Sequence, residues 1–234
     1  MNKDTISSTT PIGDIVANDF RTASVFKSNN IDFCCGGKKS LADACLERGV
    51  DQNKVKLELQ ELAATPPNAG QDYRSWKPDF LCDYIVNTHH RYVLKTLPEL
   101  VQYTRKIADV HGVHHPELIE VAALFTQIND ELLQHLKKEE EVLFPAIKSV
   151  LANNNSESKK TIISEIARMA GEHEFAGGAM DAINNLTHHY SLPEDSCSTY
   201  QVTFKLLEQF EDDLHIHVHL ENNILYPIAL KLAN

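Results

Sequence analysis

The motif His-x3-Glu-x3-Leu-aromatic-Pro is written twice in this chain, over His135 to Pro145 and again over His217 to Pro227. An α-helix turns once in about 3.6 residues, so positions four apart stack on one face. Each copy therefore points an imidazole and a carboxylate the same way. The duplication extends upstream, because His90 precedes His135 by 45 residues and His173 precedes His217 by 44. The order is His, then His-x3-Glu, repeated. Four histidines and two glutamates on four helices match the stoichiometry of a metal site.

Periodicity predicts four long helices, at about 79–109, 117–151, 158–189 and 197–232, with breaks at 111–116, 152–156 and 191–194. Pro98 is a potential kink in the first. Short connections between long amphipathic helices imply an antiparallel four-helix bundle. Upstream, short helices are expected after Thr10-Pro11 (N-cap and first helical position), over Arg21–Ser28, after Ser40 and over Asn53–Ala64, with Gly49 as a stop. Thr65 to Gly70 reads as a linker. The fold class is all-α, with a small helical domain over 1–70 and a bundle over 71–234.

The face that carries the motif residues decides how to read them. The expected apolar stripes run Val86, His90, Leu94, Leu97; then Ile128, Leu132, His135, Glu139, Val142, Ala146. The third runs Ile162, Ile166, Met169, His173, Met180, Ile183, and the fourth Leu207, Phe210, Leu214, His217, Glu221, Ile224, Ile228. All six motif residues lie in a stripe that should face the interior. A lone histidine there is usually a hydrogen-bonded core residue, and a lone His-x3-Glu pair is often a solvated helix face. Two matched pairs with two further histidines in phase are better explained by cations, since an unpaired buried carboxylate costs several kcal/mol. The candidate ligands are thus His90, His135, Glu139, His173, His217 and Glu221. Imidazole and carboxylate suit Fe, Mn, Zn or Cu. Six ligands exceed one tetrahedral site and suit two metals bridged by the glutamates, while the ferritin-like Glu-x-x-His signature is missing. Glu131 and Asp213, four residues before His135 and His217, are either orienting partners or solvated positions. His89 and His219 fall off the stripes, and His111, His114 and His115 fall in an exposed loop; none is assigned as a ligand.

Cys34-Cys35, followed by Gly36-Gly37 and Lys38-Lys39, reads as an accessible turn whose lysines favour thiolate. Redox chemistry or transient metal handling is one reading, and two ordinary thiols at a tight turn is the other. Cys45, Cys82 and Cys197 read as small, partly buried hydrophobes. Five cysteines without framework spacing fit reduced thiols. A net charge of −11 argues against nucleic-acid binding. No apolar run suits a membrane span or signal peptide, so a cytoplasmic location is expected.

Asp32-Phe33-Cys34-Cys35-Gly36-Gly37 and its flanking helices resemble the ScdA-like Cys-Cys domain of the RIC (repair of iron centres) family. Leu97–Leu100, His135–Pro145, Gly171–Glu174 and Leu220–Asn223 resemble its haemerythrin-like domain. The resemblance covers essentially the whole chain. It implies two non-haem iron ions per chain, with His90, His135, His173 and His217 as terminal ligands and Glu139 and Glu221 as bridges. It also implies roles near the iron for Glu172 and, in redox or iron transfer, for Cys34 and Cys35. In true haemerythrins the last carboxylate is an aspartate, so Glu221 argues against simple oxygen carriage. The implied function is repair of iron–sulfur clusters damaged by nitrosative or oxidative stress, through iron donation. Iron–sulfur proteins or their assembly scaffolds would be partners, and a homodimer could form through the N-terminal domain. The alternatives are a nitric-oxide or peroxide reductase, or an oxygen or nitric-oxide sensor.

Overall fold

The computed structural model describes residues 6–65 and 72–234. Most of the expected linker and the boundary at residue 70 lie outside the described residues. Among the described residues all regular structure is helical, and the one extended pairing is an isolated bridge between Pro11 and Ser40.

Four short helices come first: α1 (Ile12–Asn18), α2 (Ala23–Ser28), α3 (Leu41–Arg48) and α4 (Gln52–Ala64). Their ends follow local chemistry. Pro11 occupies the cap position of α1 itself, one residue later than expected. The Ser40 hydroxyl accepts the Asp43 N–H at 3.2 Å, Asp51 caps α4, and Gly49 closes α3 at φ +66°. The start of the expected 21–28 helix is a 3-10 turn at Phe20–Thr22, held by Asp19 accepting the Arg21 N–H.

The bundle follows. Its first long helix is α5 (Pro78–Ile85), a π turn (Val86–His90) and α6 (Arg91–His111); α6 runs through Pro98 as one element. The second is α7 (Glu117–Lys138), a π turn (Glu139–Leu143) and α8 (Phe144–Asn153). The third, α9 (Ser156–Leu186), is uninterrupted and capped by Asn155. The fourth is α10 (Ser198–Leu220), a π turn (Glu221–Leu225) and α11 (Tyr226–Ala233). α6 packs on α7, α7 on α9, α9 on α10 and α10 on α6, which closes an antiparallel ring.

The three π turns correct the expected stripes. Such a turn inserts one residue into the helix, so the buried positions slip by one beyond it. Val142 is 40% exposed whereas Leu143 and Ile147 are wholly buried. Ile228 is half-buried while Leu225 and Ala229 line the interior, and Val93 is buried in place of exposed Leu94. In uninterrupted α9 the expected stripe is buried throughout.

Two apolar clusters fill the bundle. One includes Val93, Leu97, Phe125, Ile128, Met180, Leu207 and Phe210, and it is continuous with Ile12, Phe26 and Leu41 of the short N-terminal helices. The other includes Leu81, Ile85, Phe144, Ile147, Ile162, Met169, Leu225 and Tyr226. On every long helix the candidate ligands lie where one cluster gives way to the other. They form a polar layer between two apolar cores.

Candidate metal centre

His90, His135, Glu139, His173, His217 and Glu221 are all buried. They form two groups of four: His90, Glu139, His217 and Glu221, and then His135, Glu139, His173 and Glu221, with one ligand atom per residue lying within 4.8 Å of the others. Both glutamates belong to both groups. Glu221 faces them with separate oxygens: Oε1 is 3.0 Å from His217 Nε2, and Oε2 is 3.2 Å from His173 Nε2. Glu139 uses Oε2, at 3.3 Å from His90 Nε2 and 3.4 Å from His135 Nε2. Its Oε1 accepts the Tyr226 hydroxyl at 2.5 Å. Two of the π turns begin at these glutamates and the third ends at His90.

Three histidines have their outer nitrogen tied. Nδ1 lies 2.8 Å from Glu140 Oε1 for His90, 2.8 Å from Glu172 Oε2 for His135, and 3.0 Å from Asn222 Oδ1 for His173. Nδ1 donates to a carboxylate for His90 and His135 and to an amide oxygen for His173, so each Nε2 is left pointing inward. Lys138 Nζ holds the other Glu172 oxygen at 2.6 Å. His217 Nδ1 is buried with no hydrogen-bond partner among the described residues. Glu131 is exposed, and the position expected for it on His135 is taken by Glu172. Asp213 serves His89 instead of His217, at 2.9 Å from Nδ1.

The residues fit a cation. Glu139 Oε2, Glu221 Oε2 and His90 Nε2 are buried atoms with no hydrogen-bond partner among the described residues. The Nε2 atoms of His135 and His173 face each other at 3.0 Å, so at most one of the two can carry a proton on that nitrogen. The electrostatics agree. Burial opposes a charge on His135, yet Glu139, Glu172 and Glu221 hold it up to about 10. Burial likewise opposes a charge on Glu139, but His135 and His90 keep it well below the usual carboxylate range. Hydrogen bonding to His135, against burial and with help from Lys138, brings Glu172 down to about 2. Burial lowers His217 despite Glu221. Without a cation, protons have to supply the positive charge that the layer requires.

His89 and His219, expected off the stripe, are also buried. His89 stacks on His217 at 5.5 Å and 7°, and His219 Nδ1 accepts from Asn223 at 3.1 Å. Neither enters the groups of four. Their burial follows from tertiary packing and from the π turn that ends at His90, neither of which an α-periodic reading contains.

The cysteine turn lies against this layer. Cys34 is buried and Cys35 half-buried, and all five cysteines are free thiols. Asp32 accepts the backbone N–H groups of Cys34 and Cys35 through Oδ1 and that of Gly36 through Oδ2. Cys35, burial and Asp32 together push the Cys34 thiol well up, against the pull toward thiolate expected of the lysines. Lys39 is spent on Glu47 at 2.5 Å. Cys35 Sγ approaches the His173 carbonyl oxygen at 3.3 Å. A cavity of about 170 Å³ opens beside the pair, lined by Asp32, Cys34, Cys35, Glu174, Asp181 and His215 among others. Cys45 and Cys82 are buried as expected, but Cys197 is exposed.

An antiparallel helical bundle holding a buried layer of imidazoles and shared carboxylates defines a haemerythrin-like cation-binding protein. The family model described as the Hemerythrin HHE cation binding domain matches residues 83–229, and the ScdA_N model, described as a domain of unknown function, matches residues 8–63. The iron-sulfur cluster repair protein ScdA of Staphylococcus epidermidis is 30% identical, over 92% of this chain and 95% of that protein. The iron-sulfur cluster repair protein YtfE of Enterobacter sp. (strain 638) is 31% identical, over 94% and 96%. That of Yersinia pestis (strain Pestoides F) is 33% identical, over 90% and 92%. The chain belongs to this ScdA/YtfE family of haemerythrin-domain proteins.

Proposed function

We propose that this chain repairs damaged iron–sulfur clusters by donating iron from a pair of ions held in the buried layer. The observation that carries the reading is the sharing of Glu139 and Glu221 between two groups of four ligands, which is what a carboxylate-bridged pair requires. His90 and His217 would serve one ion, His135 and His173 the other. Glu140, Glu172 and Asn222 keep the Nδ1 protons in place so that Nε2 binds, and the Tyr226 hydroxyl steadies Glu139. Iron is the cargo of this reaction, and its acceptor is a cluster protein or an assembly scaffold. The ScdA and YtfE relatives are named as iron-sulfur cluster repair proteins, which supports the assignment. No described helix is long and apolar enough to cross a membrane, which fits the proposed action on cytoplasmic clusters under nitrosative or oxidative stress.

The test is iron content after anaerobic purification, for the wild type and for Glu139→Ala/Glu221→Ala, followed by incubation with an apo-[2Fe–2S] acceptor. Two irons per chain that are lost in the double variant and pass to the acceptor are expected. Iron that stays bound would overturn donation and favour a reductase or a sensor. A wild type without iron would overturn the centre.

A further inference from the structure

A second group of ligating side chains lies outside the buried layer. Glu211 and His215 are four residues apart on α10, so they share a face, and Asp181 meets them from α9. One ligand atom from each lies within 4.8 Å of the others, and none of the three belongs to the groups built on Glu139 and Glu221. Glu211 is the member that calls for a cation. It is 4% exposed, yet no lysine or arginine among the described residues pairs with it: Lys27 goes to Asp212, and Arg48 goes to Asp181 at 3.1 Å. Its Oε2 accepts from Asn184 Nδ2 at 2.9 Å, and Asn184 Oδ1 is held in turn by His189 Nδ1 at 2.6 Å. An amide orients a carboxylate without supplying positive charge, and burial raises the Glu211 carboxyl accordingly.

The surroundings point the same way. Tyr190 lines the same cavity as Glu211, and its hydroxyl is buried with no hydrogen-bond partner among the described residues. The His215 ring lies edge-on to Phe33 at 6.1 Å and makes no hydrogen bond or ion pair among the described residues. Arg48 engages Asp181 through Oδ2 alone, and that pair is partly exposed, so it offsets little of the local negative charge. The cavity beside Cys34 and Cys35 and a neighbouring one of about 470 Å³ are both lined by Asp32, Arg48, Asp181 and His215. We propose that Asp181, Glu211 and His215 bind one divalent first-row cation per chain, separate from the buried layer. Carboxylate oxygens with an imidazole nitrogen suit Mn, Fe or Zn, and three protein ligands leave coordination positions open toward the cavity. Asn184 is the positioning residue that aims Glu211. The buried layer is closed in by two apolar cores, whereas this site is reached from the cavity that also holds the thiol pair.

Mn(II) is the probe, because it favours oxygen and nitrogen ligands over thiols and its free-ion EPR signal falls on binding. The full-length Glu139→Ala/Glu221→Ala protein, which has no bridging carboxylates, isolates the site and should bind one Mn(II) per chain. Adding Glu211→Gln should abolish that binding. Asp181→Asn and His215→Gln should each weaken it about tenfold or more, since loss of even an outer partner of a ligand costs that much. Glu131→Gln, which alters an exposed acid on α7, should leave it unchanged. Far-UV circular dichroism establishes that each variant is folded; if Glu211→Gln does not fold, the variants at half-buried Asp181 and His215 decide. The wild type, its layer loaded beforehand with Fe(II), should take up the same additional Mn(II) and lose it in Asp181→Asn, so the test also stands if the double-alanine protein does not fold. Folded protein that binds no Mn(II) outside the layer would overturn the site, as would binding that survives both Asp181→Asn and His215→Gln. Neither arm depends on whether the layer donates its iron.

Discussion

At the scale of single residues, the proposed centre depends on groups that would not themselves touch a cation. A ligating imidazole must present one particular nitrogen, and the acceptor on the other nitrogen decides which. Glu140 does this for His90 and Glu172 for His135. Glu131 has the right spacing in sequence but lies on the surface. Glu140→Ala and Glu172→Ala should each weaken metal binding about 10–100-fold, the usual range for such partners, while Glu131→Ala should leave it unchanged. Competition with a metallochromic chelator measures all three, and an effect of Glu131→Ala as large as the others would contradict the assignment. His115 is a second instructive residue. It was expected to be solvated, but it bridges Asp195 at 2.9 Å and Glu117 at 3.3 Å. Asp195, against burial and helped by Glu117, raises it above its ordinary value. A raised histidine contributes stability that is full below its unfolded value, near 6.5, and is lost as pH rises through the folded value. His115→Gln should therefore melt below the wild type at pH 6, and the gap should close at pH 9. A gap independent of pH would show that the ion pairs contribute nothing.

The π turn is the device that matters at the scale of elements. Regular α-helix would carry the stripe from Glu139 to Val142, whereas the turn carries it to Leu143 and Ile147, with Ala146 buried as expected. Leu143→Ala should cost about 2–5 kcal/mol, as for other buried leucines, while Val142→Ala should cost well under 1 kcal/mol. Urea denaturation of the metal-free variants distinguishes the two registers, and the opposite ranking would restore the α-periodic one. The same feature marks where the sequence was legible. The six motif residues stand out because their spacing survives into the fold: i and i+4 share a face on the N-terminal side of each turn. α9 carries no π turn, and its stripe could be read to the last residue. Past Glu139 and Glu221 the local pattern is ambiguous, because Val142 and Leu143, or Ile224 and Leu225, are equally apolar. The contact of Asn222 with His173 and the burial of His89 and His219 depend on elements far apart in the chain, and no local periodicity encodes those.

At the scale of the whole molecule, the ligand layer sits between two apolar cores that close without it. Neither core includes a candidate ligand, and each draws on all four long helices. Emptying the layer therefore removes no apolar packing. It does leave Glu139 and Glu221, both wholly buried, with no positive partner among the described residues except protonated histidines. Removing the cation should consequently lower stability while leaving the helices in place. A ligand present at a hundred times its dissociation constant stabilises the folded state by about 2.7 kcal/mol. In a chain of this size that corresponds to a fall in Tm of roughly 5–10 °C on chelation. Far-UV circular dichroism at 20 °C should stay unchanged. Glu139→Ala/Glu221→Ala, which has neither the site nor the buried carboxylates, should melt at the same temperature with or without chelator. Loss of helical signal on chelation would mean that the metal organises the bundle; an unmoved Tm in the wild type would mean that nothing had been bound between the two cores.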